Sequence, residues 1–383
     1  MGKHRSEISL FQLIDRKFFD ELVKKHGMDK GVRSFTTWEF TCGLITCMIM
    51  RLSSYRELEE TLDIPRSTFG DAMNNRFSGF FQDLCDHILL QIRGRTQDRK
   101  VKRAIREIMA IDSTEIRVHG SIFSLPGWQQ KQSDDHKAAC KLHVVYSVDG
   151  QWIDDFKITG GRKHDSPVSL QLRILPNRIY VFDKAYCDID FWLKVISAKS
   201  DFVTRLKDCK SLRNLQIKVL AKIGDQDGVL YDGPYVPSSV QMHLHREELE
   251  VTQLRHIIYR DRETKKIFHF VTSDLKLSAQ TIADVYKRRW AVELLFKWIK
   301  GHLDIRYLPV KSANAAKIQL AVVVLVQLLL QLKKITVAYK GTLWGLLRHI
   351  RTSQFRQILS GRAAPDGCRW SEATINPIAG VAL

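Results

Sequence analysis

The chain has 383 residues, 44% of them hydrophobic, and a formal net charge of +18 at pH 7 that is spread along its whole length. That is enough material for two or three domains with a sizeable core, and a surplus of this size favours an extended polyanion, nucleic acid ahead of an anionic membrane surface. Seven scattered cysteines without a Cys-x-x-Cys pair argue against a zinc site and a disulfide framework, and point to reduced thiols in the cytoplasm.

The first residues, MGKHRSEISL, lack the apolar core of a signal peptide. Residues 1–105 read as helical, with helix-spaced apolar residues over Phe18–Lys25 and Thr37–Leu52. A helix at Tyr55–Leu62 ends near Asp63-Ile64-Pro65, and a second runs from Ser67 to Asn75. This is helix-turn-helix spacing, with Arg66, Ser67, Thr68, Asn74 and Asn75 available to contact DNA. Two short amphipathic helices joined by a turn also occur without any such role. The basic run that follows (Arg93, Arg95, Arg99, Lys100, Lys102, Arg103, Arg106) reads equally as a solvated linker or as one that contacts phosphates.

From residue 107 the pattern becomes strand-like. Ile108–Ile111 is apolar and ends at Asp112. After a polar loop with Trp128, Lys141–Val148 alternates, turns at Asp149-Gly150 and returns as Trp152–Ile158, stopping at Gly160-Gly161. Ser166–Leu175 reads as a helix, Ile179–Phe182 as a strand ending in Asp183, Phe191–Ser197 as a helix and Phe202–Arg205 as a strand. This order suits an α/β fold, a mixed sheet flanked by helices.

The interval from Asp183 to Glu293 exceeds the few tens of residues that one strand–helix unit needs. Its excess is β in character, in Val251–Tyr259 and Ile267–Thr272, with turns at Asp227-Gly228 and Asp232-Gly233. A β-rich insertion at 208–264 is expected. The calcium-loop hint in DQDG at 225–228 fails for want of the closing glutamate. Ser278–Leu303 reads as one long helix. At roughly 100° per residue, Tyr286, Arg289, Glu293 and Lys300 fall within about a 60° arc. Apolar shoulders flank this narrow polar stripe: Val285, Val292, Leu295, Phe296 and Ile299 on one side, Trp290, Leu294 and Trp298 on the other. Ala315–Tyr339 and Leu343–Ser360 follow as helices; the first contains an apolar stretch that is short for a membrane span and carries Gln319, Gln327 and Gln331. The tail contains Pro365 and Pro377.

Asp112 and Asp183 each close an apolar strand, where a lone aspartate is usually a cap or turn residue. If the two strands are neighbours and Glu293 lies on a helix packed against them, three carboxylates converge. Such a cluster needs a partner cation, and a hard divalent ion suits carboxylates working on phosphodiesters.

Asp112-Ser-Thr, Asp183-Lys-Ala-Tyr and Tyr286-x2-Arg289-x3-Glu293-x6-Lys300 together resemble the DDE transposases of bacterial insertion sequences. They are closest to the insertion-sequence-four group with its Tyr-Arg-Glu-Lys signature. Lys141-Leu142-His143, His164-Asp165 and, in the helical leader, Asp29-Lys30-Gly31 and Ser54-Tyr55-Arg56-Glu57-Leu58 are similar too, so the resemblance spans about residues 10–335. It implies a ribonuclease-H-like core split as 106–207 and 265–310 around the 208–264 insertion, after a DNA-binding region 1–105 and before a helical region 311–383. It implies that Asp112, Asp183 and Glu293 bind two magnesium ions, with manganese able to substitute. It further implies that Tyr286, Arg289 and Lys300 hold the DNA end. Arg66, Asn74, Arg99 and Lys100 are further candidate DNA contacts. The partners implied are double-stranded DNA and a second copy of the chain, with no membrane. Two other readings are a DNA-binding regulator derived from a transposase and a metal-dependent nuclease without strand transfer. The proposed insertion lacks the tryptophan with which some relatives hold a flipped base. His143 and His164 are expected to be structural or phosphate-contacting.

Overall fold

Apolar residues alternating along β1 and its neighbours build one mixed sheet with two buried faces. In the computed structural model, residues 9–52, 54–97, 106–130, 137–206, 228–235, 253–305, 307–308 and 310–359 are described. The strands are β1 (Glu107–Val118), β2 (Ala138–Ser147), β3 (Trp152–Gly160), β4 (Arg178–Phe182), β5 (Asp201–Arg205), β6 (Val229–Pro234), β7 (Arg255–Arg260), β8 (Ile267–Thr272) and β9 (Tyr307–Leu308). Eight run in the order β3-β2-β1-β4-β5-β8-β7-β6, and β9 pairs the far end of β1. β1 to β3 form an antiparallel meander, β4 and β5 join it in parallel, and β8, β7 and β6 return antiparallel.

The described strands of the expected insertion therefore extend the core sheet rather than standing apart from it. β8 pairs the open edge of β5, whose backbone groups would otherwise lack partners, and β7 and β6 continue the ladder. Asp232-Gly233, read as a turn, lies within β6: Arg255 on β7 forks onto both Asp232 carboxylate oxygens at 2.6 Å and holds the strand extended. The Gly160-Gly161 stop is required by close approach. A Cβ on Gly160 would lie 2.2 Å from the Gly127 carbonyl oxygen, and one on Gly161 2.8 Å from that of Gln129.

Residues 1–105 are helical where described: α1 (Arg16–His26), α2 (Thr37–Met50), α3 (Tyr55–Leu62), α4 (Arg66–Asn75) and α5 (Gly79–Gln97). Side-chain caps set their starts. Asp15 accepts from Phe18 N, Thr36 and Glu39 form a capping box, and Ser54 accepts from Glu57 N. The turn between α3 and α4 falls at the anticipated Asp63-Ile64-Pro65. Beyond β3 come α6 (Asp165–Ser169) and α7 (Ile189–Ser197), then α8 (Ala279–Lys287), α9 (Trp290–His302), α10 (Ala313–Thr336) and α11 (Leu343–Leu359). The helix expected over Ser166–Leu175 stops at Ser169. Beyond it, side chains take the backbone: Lys194 Nζ donates to the carbonyls of Leu170 and Leu172, and Arg173 N donates to Asp155.

Two cores flank the sheet. Ile108, Ala110, Ile179 and Val181 face the larger one, which takes in the N-terminal helices and α8 to α11. Met109, Ile111, Tyr180 and Phe182 face the smaller one, against Phe191 and Trp192 of α7. α10 packs on α5, β3 and α2 and joins the N-terminal helices to the sheet. It is long and apolar enough to cross a membrane, but 89% of its apolar window is buried within the fold, as the sequence led one to expect. Gln327 and Gln331 on it bind the Gln151 carbonyl at the β2–β3 turn.

The basic run is not a free linker at its described positions. Arg93 and Arg95 lie on α5. Arg93 pairs with the buried Asp154 at 2.6 Å, and Arg95 donates to Thr336 Oγ1. Arg106 bridges Asp201 and Asp274, each at 2.6 Å. Arg99, Lys100, Lys102 and Arg103 lie outside the described residues, as does the tail with Pro365 and Pro377.

Candidate active site

β1 and β4 pair in parallel as far as Ile111 and Phe182. One position further along, the two strands carry Asp112 and Asp183. Register partners in parallel strands share a face, so the two carboxylates stand side by side on the face of Ala110 and Val181. Asp183 ends its strand and caps the turn Lys184–Tyr186. Asp112 does not end its own: β1 continues to Val118 against β2, and it is β4 that stops. With β4 gone, the next backbone N–H on each chain turns to the carboxylate instead. Ser113 N donates to Asp112 Oδ1 at 2.8 Å, and Lys184 N donates to Asp183 Oδ1 at 2.7 Å.

The stretch expected as one helix is two, α8 and α9, broken at Arg288-Arg289. Across the break the N–H groups of Arg288, Arg289, Ala291 and Val292 bond to carbonyls three residues back, a tighter turn than the α-helix. The polar stripe survives the break and lies over the β1/β4 pair. The Tyr286 hydroxyl is 3.5 Å from Asp183 Oδ1. Arg289 reaches Asp112 Oδ2 at 3.3 Å with one nitrogen and donates to Glu293 Oε1 with another. Lys300 Nζ donates at 2.9 Å to the carbonyl of Glu115, three residues beyond Asp112. The structure thus brings Tyr286 to Asp183 and Arg289 to both Asp112 and Glu293, and places Lys300 further along β1, at Glu115.

Burial pushes the Asp112 carboxyl up to about 6; Glu293 and Asp183 add like charge, while Ser113 N–H and Arg289 oppose the shift. Burial, then Asp183, pushes Tyr286 up to about 12. Burial also holds Lys300 below the usual lysine range. Among the described residues no three Asp, Glu, His or Cys side chains already form a cage for an ion. The donor set still fits a hard cation. All three groups are carboxylates, and the place between Asp112 and Glu293 is already held by a positive charge, the Arg289 guanidinium.

Arg66 and Asn74 have other neighbours. Arg66 is exposed at the start of α4, 4.0 Å from Glu59, and Asn74 accepts from Ser312 Oγ, just before α10. His143 is fully buried, and burial holds its imidazole below the usual histidine range; Nε2 lies 2.9 Å from Thr159 Oγ1. His164 is the exposed cap residue of α6. Sequence reasoning gave no role to Ser113, whose hydroxyl donates to Asp165 on the opposite face of the sheet. The signal was there in strand alternation, which turns the residue after Asp112 away from it.

A family model described as a transposase DDE domain matches residues 103–329, and a domain of unknown function (DUF4372) matches residues 8–67. Over 239 residues the chain is 32% identical to a Sinorhizobium fredii protein named as transposase y4zB, a match covering 61% of this chain and 63% of that protein, under two thirds of its length. It is 27% identical over 329 residues (84% of this chain, 82% of the relative) to a Geobacillus stearothermophilus protein named as a transposase for insertion sequence element IS5377. It is 25% identical over 302 residues (78% and 80%) to a Synechocystis protein named as a transposase for insertion sequence element IS4SA. Among solved structures, the piggyBac transposase synaptic complex with hairpin DNA is similar in fold, with a TM-score of 0.52 and 12% identity over 99% of this chain and 88% of that one. Its mixed sheet is the ribonuclease-H-like core anticipated from the sequence. With more than half of its length matching the transposase DDE domain, and with three acidic residues gathered where β1, β4 and α9 meet, the chain belongs to the DDE transposase family.

Proposed function

We propose that the chain is an insertion-sequence transposase of the Tyr-Arg-Glu-Lys group. In this reading it binds the terminal inverted repeats of its element as a dimer, cuts the DNA there and joins the freed ends to target DNA. The observation that carries the reading is the register placement of Asp112 beside Asp183, with Glu293 drawn in by Arg289. DDE transposases generally depend on divalent metal. Here Asp112, Asp183 and Glu293 would hold magnesium, or manganese in its place. When bound, the ions would activate the attacking hydroxyl and stabilise the departing oxygen at the phosphorus.

The chain's own residues do the rest. Arg289 carries a planar fork of donors matched to phosphate oxygens, and its present carboxylate partners are the groups an ion would take over. It therefore passes from Glu293 and Asp112 to the phosphate beside the cut. Tyr286, whose high pKa keeps its proton, donates to or stacks on the terminal nucleotide. Lys300 supplies a point charge behind Glu115. The helical region 1–105 recognises the repeat, and the protein acts in the cytoplasm on the nucleoid.

The test uses purified protein and the DNA flanking its gene, with magnesium or calcium, and products resolved under denaturing conditions. Magnesium-dependent cuts at the repeat ends, with ends joined to new DNA, are expected. Cutting without joining would leave a nuclease, and specific binding without cutting would leave a regulator.

A further inference from the structure

We infer that Asp165 is a positioning residue for the catalytic site: acting through Ser113 from the opposite face of the sheet, it fixes the carboxylate of Asp112. This rests on the reading of Asp112 as an ion-binding carboxylate. Strand alternation puts Asp112 on one face of β1 and Ser113 on the other, in register with His143 of β2. Ser113 nevertheless touches both faces. Its N–H donates to Asp112 Oδ1 at 2.8 Å, and its hydroxyl donates to Asp165 Oδ1 at 2.9 Å. The first contact leaves Asp112 Oδ2 directed at Arg289. Here β1 has lost β4 and is braced by β2 alone, so the hydroxyl anchor restrains the peptide that carries the N–H.

Asp165 is itself held from several sides. Lys141 Nζ donates to its Oδ1 at 3.3 Å and to the Lys163 carbonyl at 3.0 Å, and His143 Nδ1 lies 3.5 Å away. Lys141 and His143 are both buried. A buried cluster of this kind is costly, and replacing buried ionic groups by well-packed apolar side chains is often neutral or stabilising. A cluster that only pinned the β3–α6 connection would affect unfolding. One that positions Asp112 must also affect the affinity of the site for an ion, typically 10–100-fold for a partner one shell out.

The experiment uses the full chain with Asp165→Ala, Asp165→Asn, Ser113→Ala and the double variant Ser113→Ala/Asp165→Ala. Manganese affinity is read from the free-ion paramagnetic resonance signal, alongside the unfolding midpoint. Asp165→Ala and Ser113→Ala should each weaken manganese binding by about 10-fold or more. The double variant should be no worse than the weaker single. Asp165→Asn, which keeps an acceptor for the Ser113 hydroxyl, should stay within a few-fold of wild type. Should Asp165→Ala not fold, Ser113→Ala still decides the matter. Wild-type affinity in Ser113→Ala, or additive losses in the double variant, would overturn the proposal. Asp112→Asn separates the two readings. Unchanged affinity there overturns the assignment of Asp112 and the proposal with it. A loss there, with none in Ser113→Ala or none in a folded Asp165→Ala, overturns the proposal alone.

Discussion

Arg106 and Arg289 each bridge two carboxylates, and the two bridges mean different things. Arg106 joins Asp201 to Asp274, and both acids have other donors: Ser273 Oγ gives to Asp201, and the N–H groups of Lys276 and Leu277 give to Asp274. Arg289 joins Asp112 Oδ2 to Glu293; Asp112 has Ser113 N–H on its other oxygen, but among the described residues Glu293 has no donor besides Arg289. The first bridge is a tie in a saturated network just before β1. The second leaves Glu293 with Arg289 alone, a counter-charge that an ion could replace. A cation's importance to chemistry is thus read from the remaining partners of its acids, not from the number of cations nearby.

The largest effect should come from the acids at the second bridge and from Asp183 beside them. Glu293→Gln or Asp183→Asn should lower end cleavage by at least about 10²–10³, the scale of losing one electrostatic stabiliser, while end binding persists in a shift assay. Loss of binding as well would make these acids structural. Next is the tie. Arg106→Ala leaves Asp274, 3% exposed, without its counter-ion and should cost about 3 kcal/mol in denaturant unfolding. Arg289→Ala should cost much less, because Asp112 can respond by taking up a proton. Equal losses would erase the distinction.

A smaller effect concerns pH. The folded pKa of Asp112, about 6, lies above its ordinary value, so between the two the folded state holds the extra proton. Without divalent ions, this group's contribution to stability should fall as pH rises from about 4 to 6, and magnesium should restore the loss above 6. A thermal midpoint that ignores magnesium throughout would count against an ion at Asp112. The smallest effect is expected from Lys300→Ala: weaker end binding and a salt slope reduced by about 1. An unchanged slope would confine Lys300 to its bond with Glu115.

Much of this was legible in the sequence because it rests on short-range pattern. Apolar runs and alternation located the start of β1, and β2 to β5 and β8 within a few residues, and helical spacing placed Tyr286, Arg289, Glu293 and Lys300 on one stripe. The helix break at Arg288-Arg289 was not legible, since no Pro or Gly marks it. The true end of β1 was hidden because Asp112 interrupts an apolar run without interrupting the pairing with β2. The fate of Arg93 and Arg106 depended on Asp154, Asp201 and Asp274, which are far away in sequence. For the same reason the Ser113–Asp165 contact could not be read from the two family-like motifs taken separately.

Asp112, Asp183 and Glu293 are proposed to share the site for divalent ions. That proposal is tested most directly by replacing magnesium with ferrous iron and adding ascorbate and peroxide, so that radicals formed at the bound ion cut the nearby polypeptide backbone. Fragments mapped by mass spectrometry should end near residues 112, 183 and 293 together, and excess magnesium should suppress all three. Cuts elsewhere, or cuts near one of these positions that persist in Glu293→Gln, would contradict a shared site.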